Sequence, residues 1–464
     1  MTSDRWTLPS VTESFLAMED ELDLLRGSLG RIWEGARFSI HQRLLDALGA
    51  VREGQVQYPT LQPSRIRRAW AHARSALSRP SLASGRADFL IVGHPRRRRT
   101  PDGTWTDPYV DPLLASLDAP VRVVEPPHLG QHRSPAHVPG VRYLDDVILL
   151  GAAAGMLGAR RPTPPERRAM EAVTEAVRGR FGVDVAVGDR MDEFRLHRAG
   201  SLRFYDRLLA GVQPKVLVLV VAYGQEPLVE VARARGITVV ELQHGVIHPY
   251  HLGYTFPSAP KSTFPDHLLT FGRFWAEATR YPIPRDRVRA VGYPAFDLAR
   301  STFDRRPNAT VLFVSQLAVG EHLSRMAVEF ARRAGEPVVY KLHPGEVHGW
   351  ADRYPWLRGS AVQVADDPGL SVYDLFRTAR AQVGVFSTAL YEGLGLGVPT
   401  VVAQLPGWEA CEPLLSLGYA RAAADASELE AAMCSLSGSK DADVFFEPGG
   451  LTRMTAALQE IVGR

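Results

Sequence analysis

The sequence predicts an α/β protein of two parallel-sheet halves behind a helical N-terminal extension. Its 464 residues exceed one ordinary core. Buried strand runs alternate with helix-length segments from residue 87 to 292. After a junction at residues 293–309 the alternation starts again. The expected divisions are residues 1–85, the helical extension, residues 86–293, the first α/β domain, and residues 294–464, the second.

The elements follow from local pattern. Within residues 10–50, Leu16, Met18, Leu22, Leu24, Leu25 and Leu29 recur near helical spacing, with acids between them. Gly27, Gly30 and Gly35 split this region into two helices. Ser64–Ser78 reads as a basic amphipathic helix ended by Pro80. Ile66, Ala69, Trp70, Ala73 and Leu77 fall on one face, Arg68 and His72 opposite. Packing through Trp70 and Leu77 is expected, and an anionic membrane surface is the alternative.

Ala87–Gly93 holds the first strand, and a polar loop runs from His94 to Asp111. Val121–Val124 is the second strand; Asp145–Leu150 fits strand or helix. Pro162–Leu209 is helical with a break near Gly182. Strand Val216–Val221, helix Glu226–Arg235 and strand Val239–Leu242 form a β-α-β unit, which argues for a parallel sheet. Strands Asp266–Thr270 and Val288–Gly292 enclose a helix at Arg273–Arg280.

The second half has strands at Thr310–Val314, Val338–Lys341, Val362–Val364, Gln382–Val385 and Thr400–Val402. Its helices are Glu321–Ala334, Ser371–Ala379 and Thr388–Leu394, with Thr452–Val462 last.

Composition narrows the class. Hydrophobic content of 45% and charged content of 23% are ordinary for a globular chain. A net charge of +3 is too weak to imply nucleic acid. Cys411 and Cys434 have neither metal-ligand nor disulfide spacing, which fits a reducing cytoplasm. The first residues lack an apolar signal core, and no apolar run is long enough to span a membrane.

Chemistry gathers at strand ends, where ligands bind in open parallel sheets. Lys341, Leu342 and His343 end one strand, and Pro344-Gly345 turns the chain away. A cation and an imidazole there suit a phosphate. Ser387 and Thr388 follow another strand and open a helix, so a hydroxyl cap and a helix N-terminus form a second anion site. Glu392 lies one turn on, on the face of Thr388, placed to accept from a ribose diol. In the first half, Gln243-His244-Gly245 ends a strand. His244 either deprotonates an acceptor hydroxyl or orients a substrate. Glu241 and His248 flank it, and Glu226, Asp107 and Asp111 are other candidate bases. The Arg96–Arg99 run makes the loop after the first strand the expected acceptor surface.

The ordered set resembles a known group. Gln243-His244-Gly245, Lys341-Leu342-His343-Pro344 and Phe386–Pro399 are similar to motifs of bacterial GT-B glycosyltransferases. That group includes capsule polysaccharide synthases, polysialyltransferase-like enzymes and CDP-glycerol glycerophosphotransferases. Val288–Asp297 resembles its interdomain stretch, and the resemblance covers roughly residues 215–405. It implies two Rossmann-like domains facing a central cleft. It also implies metal-independent chemistry without a cofactor, and a nucleotide-sugar co-substrate in the second half. His343, Ser387 and Thr388 would contact its phosphates, Lys341, Pro344, Gln243 and Gly245 would line the site, and Glu392 would hold the ribose. One departure stands out: the polysialyltransferase branch uses an acidic-acidic-glycine base motif. Here Trp33-Glu34-Gly35, Arg52-Glu53-Gly54 and Tyr391-Glu392-Gly393 each carry one acid. The Asp441-Ala442-Asp443 triplet lies beyond the last clear strand and reads as a solvated loop.

The expected function is transfer of a sugar from a CMP-, CDP- or UDP-linked donor. The acceptor would be a glycan, a lipid-linked glycan or another hydroxyl in surface polysaccharide synthesis. Nucleic acid is not an expected partner; a peripheral contact with the inner membrane face is. The rivals are a CDP-polyol phosphotransferase of teichoic-acid type, a nucleotide-sugar 2-epimerase, and a non-catalytic nucleotide or glycan binder.

Overall fold

The computed structural model describes every residue except 1–5, 52–64, 101, 129, 159–160, 259, 368, 437–441 and 464. The strands of the first half are β1 (Phe89–Val92), β2 (Arg98–Arg99), β3 (Trp105–Thr106), β4 (Val121–Glu125), β5 (Arg142–Tyr143), β6 (Val216–Leu219), β7 (Thr238–Leu242), β8 (His267–Thr270) and β9 (Val288–Ala290). Those of the second are β10 (Val311–Val314), β11 (Val338–Lys341), β12 (Val362–Ala365), β13 (Ala381–Gly384), β14 (Thr400–Ala403) and β15 (Ala420–Ala423).

Two parallel sheets result. The first runs β5-β4-β1-β6-β7-β8-β9 and the second β12-β11-β10-β13-β14-β15. Setting aside the β2–β3 hairpin, both follow the doubly wound order, which reverses beside the first strand of each sheet. The chain is therefore an α/β, GT-B-like protein. Strands buried on both faces need apolar residues at every position, and β1 is Phe-Leu-Ile-Val, fully buried. Phe89 and Ile91 join Val216 and Val218 in one core. Leu90 and Val92 join Leu217 and Leu219 in the core on the opposite face.

The last helix, Gly450–Val462, follows the second sheet in sequence but packs on the first. Its Met454, Ala457, Leu458 and Ile461 share a core with Phe89, Ile91, Val216 and Val240. The return passes Gly292, whose φ is +95°. A methyl group on Gly292 would lie 2.4 Å from the Glu447 carbonyl oxygen, so only glycine fits this crossing.

The extension forms helices Leu8–Glu21 and Gly30–Ala47. They clasp the loop after β7: the Arg37 guanidinium pairs with Glu19 at 2.7 Å and donates to the Leu252 carbonyl at 2.7 Å. The segment at Asp145 is a helix, Asp145–Gly158, and the helix at Arg273 is short, ending at Ala276. The Arg65–Ser78 helix does not pack through Trp70 and Leu77, which are 73% and 85% exposed. It is held instead through His72, whose Nδ1 lies 2.7 Å from Asp145. The Arg52-Glu53-Gly54 tripeptide, Ser64 and Asp441 lie outside the described residues. Asp443 pairs with Arg300 at 2.6 Å.

Candidate active site

In the second half, β11 delivers Lys341 to its carboxyl edge, and the turn after it fixes His343. The Glu346 carboxylate accepts the His343 backbone N–H at 2.8 Å. The Gly345 N–H donates to Nδ1 of His343 at 3.1 Å. With Nδ1 accepting, the neutral ring carries its proton on Nε2, ready to donate to a ligand oxygen. Burial, then the charges of Arg96 and Lys341, push the His343 pKa down to about 4. Burial also lowers Lys341, against the pull of Asp367 and Asp366. Pro344 is exposed in the turn.

Across the switch point, Ser387 caps helix Thr388–Gly395, its hydroxyl accepting from the Ala389 N–H at 3.2 Å. The loop after β10 is tied to this one where Gln316 accepts from the Phe386 N–H at 2.9 Å. Glu392 is buried one turn along the helix. Burial pushes its carboxyl upward, opposed by the Arg98 charge and the Tyr373 hydroxyl. Arg98 belongs to the first half, on strand β2.

In the first half, Gln243 is a brace. Its amide nitrogen donates to the Gly245 carbonyl at 2.7 Å, and its amide oxygen accepts the Phe271 N–H at 2.7 Å. Both ends being used, Gln243 shapes the loop rather than lining the site. His244 follows, with Nε2 3.0 Å from the Tyr223 hydroxyl. The Tyr109 hydroxyl donates to its carbonyl at 2.8 Å. The His94 ring stacks beside it at 5.9 Å between centroids. Burial, then His94, His251 and Arg96, hold the His244 pKa well below the usual imidazole range. Glu241 accepts from the Tyr254 hydroxyl at 2.7 Å beneath this loop.

The two halves meet here. A methyl group on Gly245 would lie 3.8 Å from the Thr388 hydroxyl oxygen. The loop after β1 adds a second link. Arg97 is buried and anchored, to Glu125 at 2.5 Å and Asp111 at 3.3 Å. Its neighbours Arg96 and Arg98 are exposed. The Arg96 charge helps to lower His94, His244 and His343 alike.

Other candidates lie elsewhere. Glu226 is buried in an ion pair with Lys261 at 3.0 Å, so its charge is already committed and the structure does not bring it to the histidines. Asp107 accepts the His94 and Tyr109 N–H groups at 2.6 and 2.9 Å, and Asp111 accepts the Asp107 N–H at 2.9 Å. These two carboxylates fold the arginine loop. The hollow lined by Arg233, Thr238, His267, Arg287 and Glu460 opens at the amino ends of β7–β9, the wrong edge for this site.

No protein-family model matches the chain, and no curated protein sequence does. Solved structures do. UDP-GlcNAc 2-epimerase from Methanocaldococcus jannaschii is 10% identical with a TM-score of 0.48, covering 80% of this chain and 99% of that one. A ugt transferase from Siraitia grosvenorii in complex with UDP is 12% identical at 0.42, covering 81% and 100%. The wall teichoic acid polymerase TagF is 8% identical at 0.42, covering 86% and 96%. At such identities and scores, the chemistry must come from this chain's own residues.

Sequence reasoning passes over Tyr223, His94, Glu346 and Tyr373 as site residues. Tyr223 and His94 each follow a buried strand closely, and that position is the signal that could have found them.

Proposed function

We propose that the chain is a transferase that moves a sugar from a nucleotide-activated donor to an acceptor hydroxyl. The observation that carries this is the approach of Gly245 to Thr388, with room for little more than a methyl between them, which brings a histidine loop of one sheet to an anion-ready helix start of the other. Base and leaving-group site then share one cleft. The donor phosphates lie against His343 Nε2–H, Lys341 and the amides and hydroxyls at Ser387–Thr388. Glu392 accepts from the ribose, with Arg98 beside it. The acceptor oxygen bonds to the anomeric carbon as that carbon's bond to phosphate oxygen breaks. The electron pair leaves on the phosphate, whose charge these donors stabilise. The acceptor proton passes to His244. The Tyr223 hydroxyl already stands at the distance an acceptor hydroxyl needs. Burial depresses His244 most; the Arg96 charge adds to it, and an anionic donor offsets that charge, so binding makes His244 a better base.

Incubation with CMP-, CDP-, UDP- and GDP-linked sugars, CDP-glycerol and CDP-ribitol, each with a glycan acceptor, tests this, with chromatography and mass spectrometry of products. Nucleotide release coupled to acceptor gain of one sugar mass is expected. A phosphopolyol mass increment, a 2-epimer formed without acceptor, or binding without turnover would overturn the proposal in favour of a rival.

A further inference from the structure

A soluble helix normally buries its apolar stripe and shows its charges. Helix Arg65–Ser78 leaves the largest side chains of its stripe in the open. His72, on the polar face, is fixed to Asp145 at 2.7 Å, while Trp70 and Leu77 stand 73% and 85% exposed. Trp70, Arg74 and Leu77 follow helical spacing on the outward side.

The helix it packs on, Asp145–Gly158, also leaves apolar side chains open. Its inner face is committed: a methyl on Gly200 of the neighbouring helix Val187–Val212 would fall 2.0 Å from the Gly151 carbonyl oxygen. Its outer face shows Met156 at 76% and Leu157 at 90%, with Leu150 also exposed. Two adjoining helices thus expose five large apolar side chains, more than the single scattered ones that need no partner.

The charge says which partner. Helix Arg65–Ser78 has no acid, and its Arg67 and Arg74 are exposed. Arg79, which follows it, is exposed as well. The acids of the second helix, Asp145 and Asp146, are buried; Asp146 accepts from Ser81 and the Leu82 N–H. A second copy of the chain meeting this face by two-fold symmetry would set arginine against arginine. A lipid surface rich in anionic headgroups offers the opposite charge, and its acyl boundary takes tryptophan and leucine.

We propose that the face formed by helices Arg65–Ser78 and Asp145–Gly158 docks on an anionic membrane surface. Its docking does not depend on which reaction the cleft performs. The contact is also wired toward the cleft. Asp145 holds His132 at 2.6 Å, His132 holds Glu125 at 2.9 Å, and Glu125 holds Arg97 at 2.5 Å, the anchor of the loop bearing Arg96 and Arg98. A chain of ion pairs thus joins the docking face to the arginine loop of the cleft.

Co-sedimentation of the full chain with vesicles tests this, using phosphatidylcholine alone and phosphatidylcholine with phosphatidylglycerol. The expected result is binding to the anionic vesicles that weakens with salt. Trp70→Glu with Leu77→Glu, and separately Leu157→Glu, are expected to cut binding by about tenfold. These side chains are exposed, so the thermal midpoint stays unchanged. No binding to anionic vesicles, equal binding to both compositions, or variants that bind like wild type would overturn the proposal. So would a wild-type dimer in light scattering that the same variants dissociate.

Discussion

The Gly345 amide donates to Nδ1 of His343 at 3.1 Å, and that bond decides what the imidazole can do. It leaves Nε2–H pointing away from the turn as a donor. Replacing His343 by Ala is expected to lower kcat/KM by about 100-fold or more, the effect of losing a donor to developing charge. His343→Gln places an amide nitrogen near the Nε2 position and should retain more activity than His343→Asn. Steady-state kinetics of the three variants checks the order. Equal losses for Gln and Asn would remove the tautomer argument.

Tyr223 and His244 are bonded at 3.0 Å across two strand ends. Tyr223→Phe keeps the ring that packs against Phe38, with centroids at 4.9 Å, and removes only the hydroxyl. The expected outcome is a drop in kcat of about tenfold with KM for donor unchanged, since the bond touches the base and not the phosphate site. A KM effect alone would place Tyr223 on the donor.

Arg98 crosses from the first half to lower the pKa of Glu392 in the second. Removing it leaves only the Tyr373 hydroxyl to oppose burial, so the Glu392 carboxyl rises further and is protonated at higher pH. Arg98→Ala is expected to weaken donor binding by about tenfold, and most strongly toward acid pH. Titration calorimetry at two pH values measures it. A pH-independent loss would mean that Arg98 acts on the phosphates rather than through Glu392.

Both sheets are legible in the sequence because their central strands are unbroken apolar runs: Phe89–Val92, Val216–Leu219 and Val311–Val314 read as buried from their residue types alone. What escapes is short or atypical. β5 has two residues, and β15 is Ala-Arg-Ala-Ala, without the branched side chains that mark a strand. His244, His343, Ser387 and Thr388 can be picked out because strand ends are where parallel sheets bind. Their mutual distance cannot, since it depends on how two sheets face one another. Gln243 reads as a ligand contact because sequence does not show that both ends of its amide are already bonded. Trp70 and Leu77 read as packing residues because spacing defines a stripe but not which way it faces.

Burial of neutral histidines gives the fold an acid limit. The pKa of His41 is held at about 3, and those of His94 and His251 at about 4, each chiefly by burial. All lie below the unfolded value of 6.5. The unfolded chain therefore binds more protons between those values, and the stability present above pH 6.5 is lost as pH falls toward 4. A tenfold change in a group's proton affinity on folding corresponds to about 1.4 kcal/mol. The thermal midpoint should be flat near neutrality and fall steeply below about pH 6. His41→Gln should make that fall shallower.

The central claim is that a nucleotide's phosphates bind where His343 and the Thr388 helix start meet the loop of His244. Calorimetric titration of CMP, CDP, UDP and GDP into wild type and His343→Ala tests it most directly. Wild type is expected to bind at least one of them, and His343→Ala to bind that nucleotide about tenfold more weakly or worse, with an unchanged thermal midpoint. A dissociation constant identical in the two proteins, or no binding of any of the four to wild type, would contradict the account.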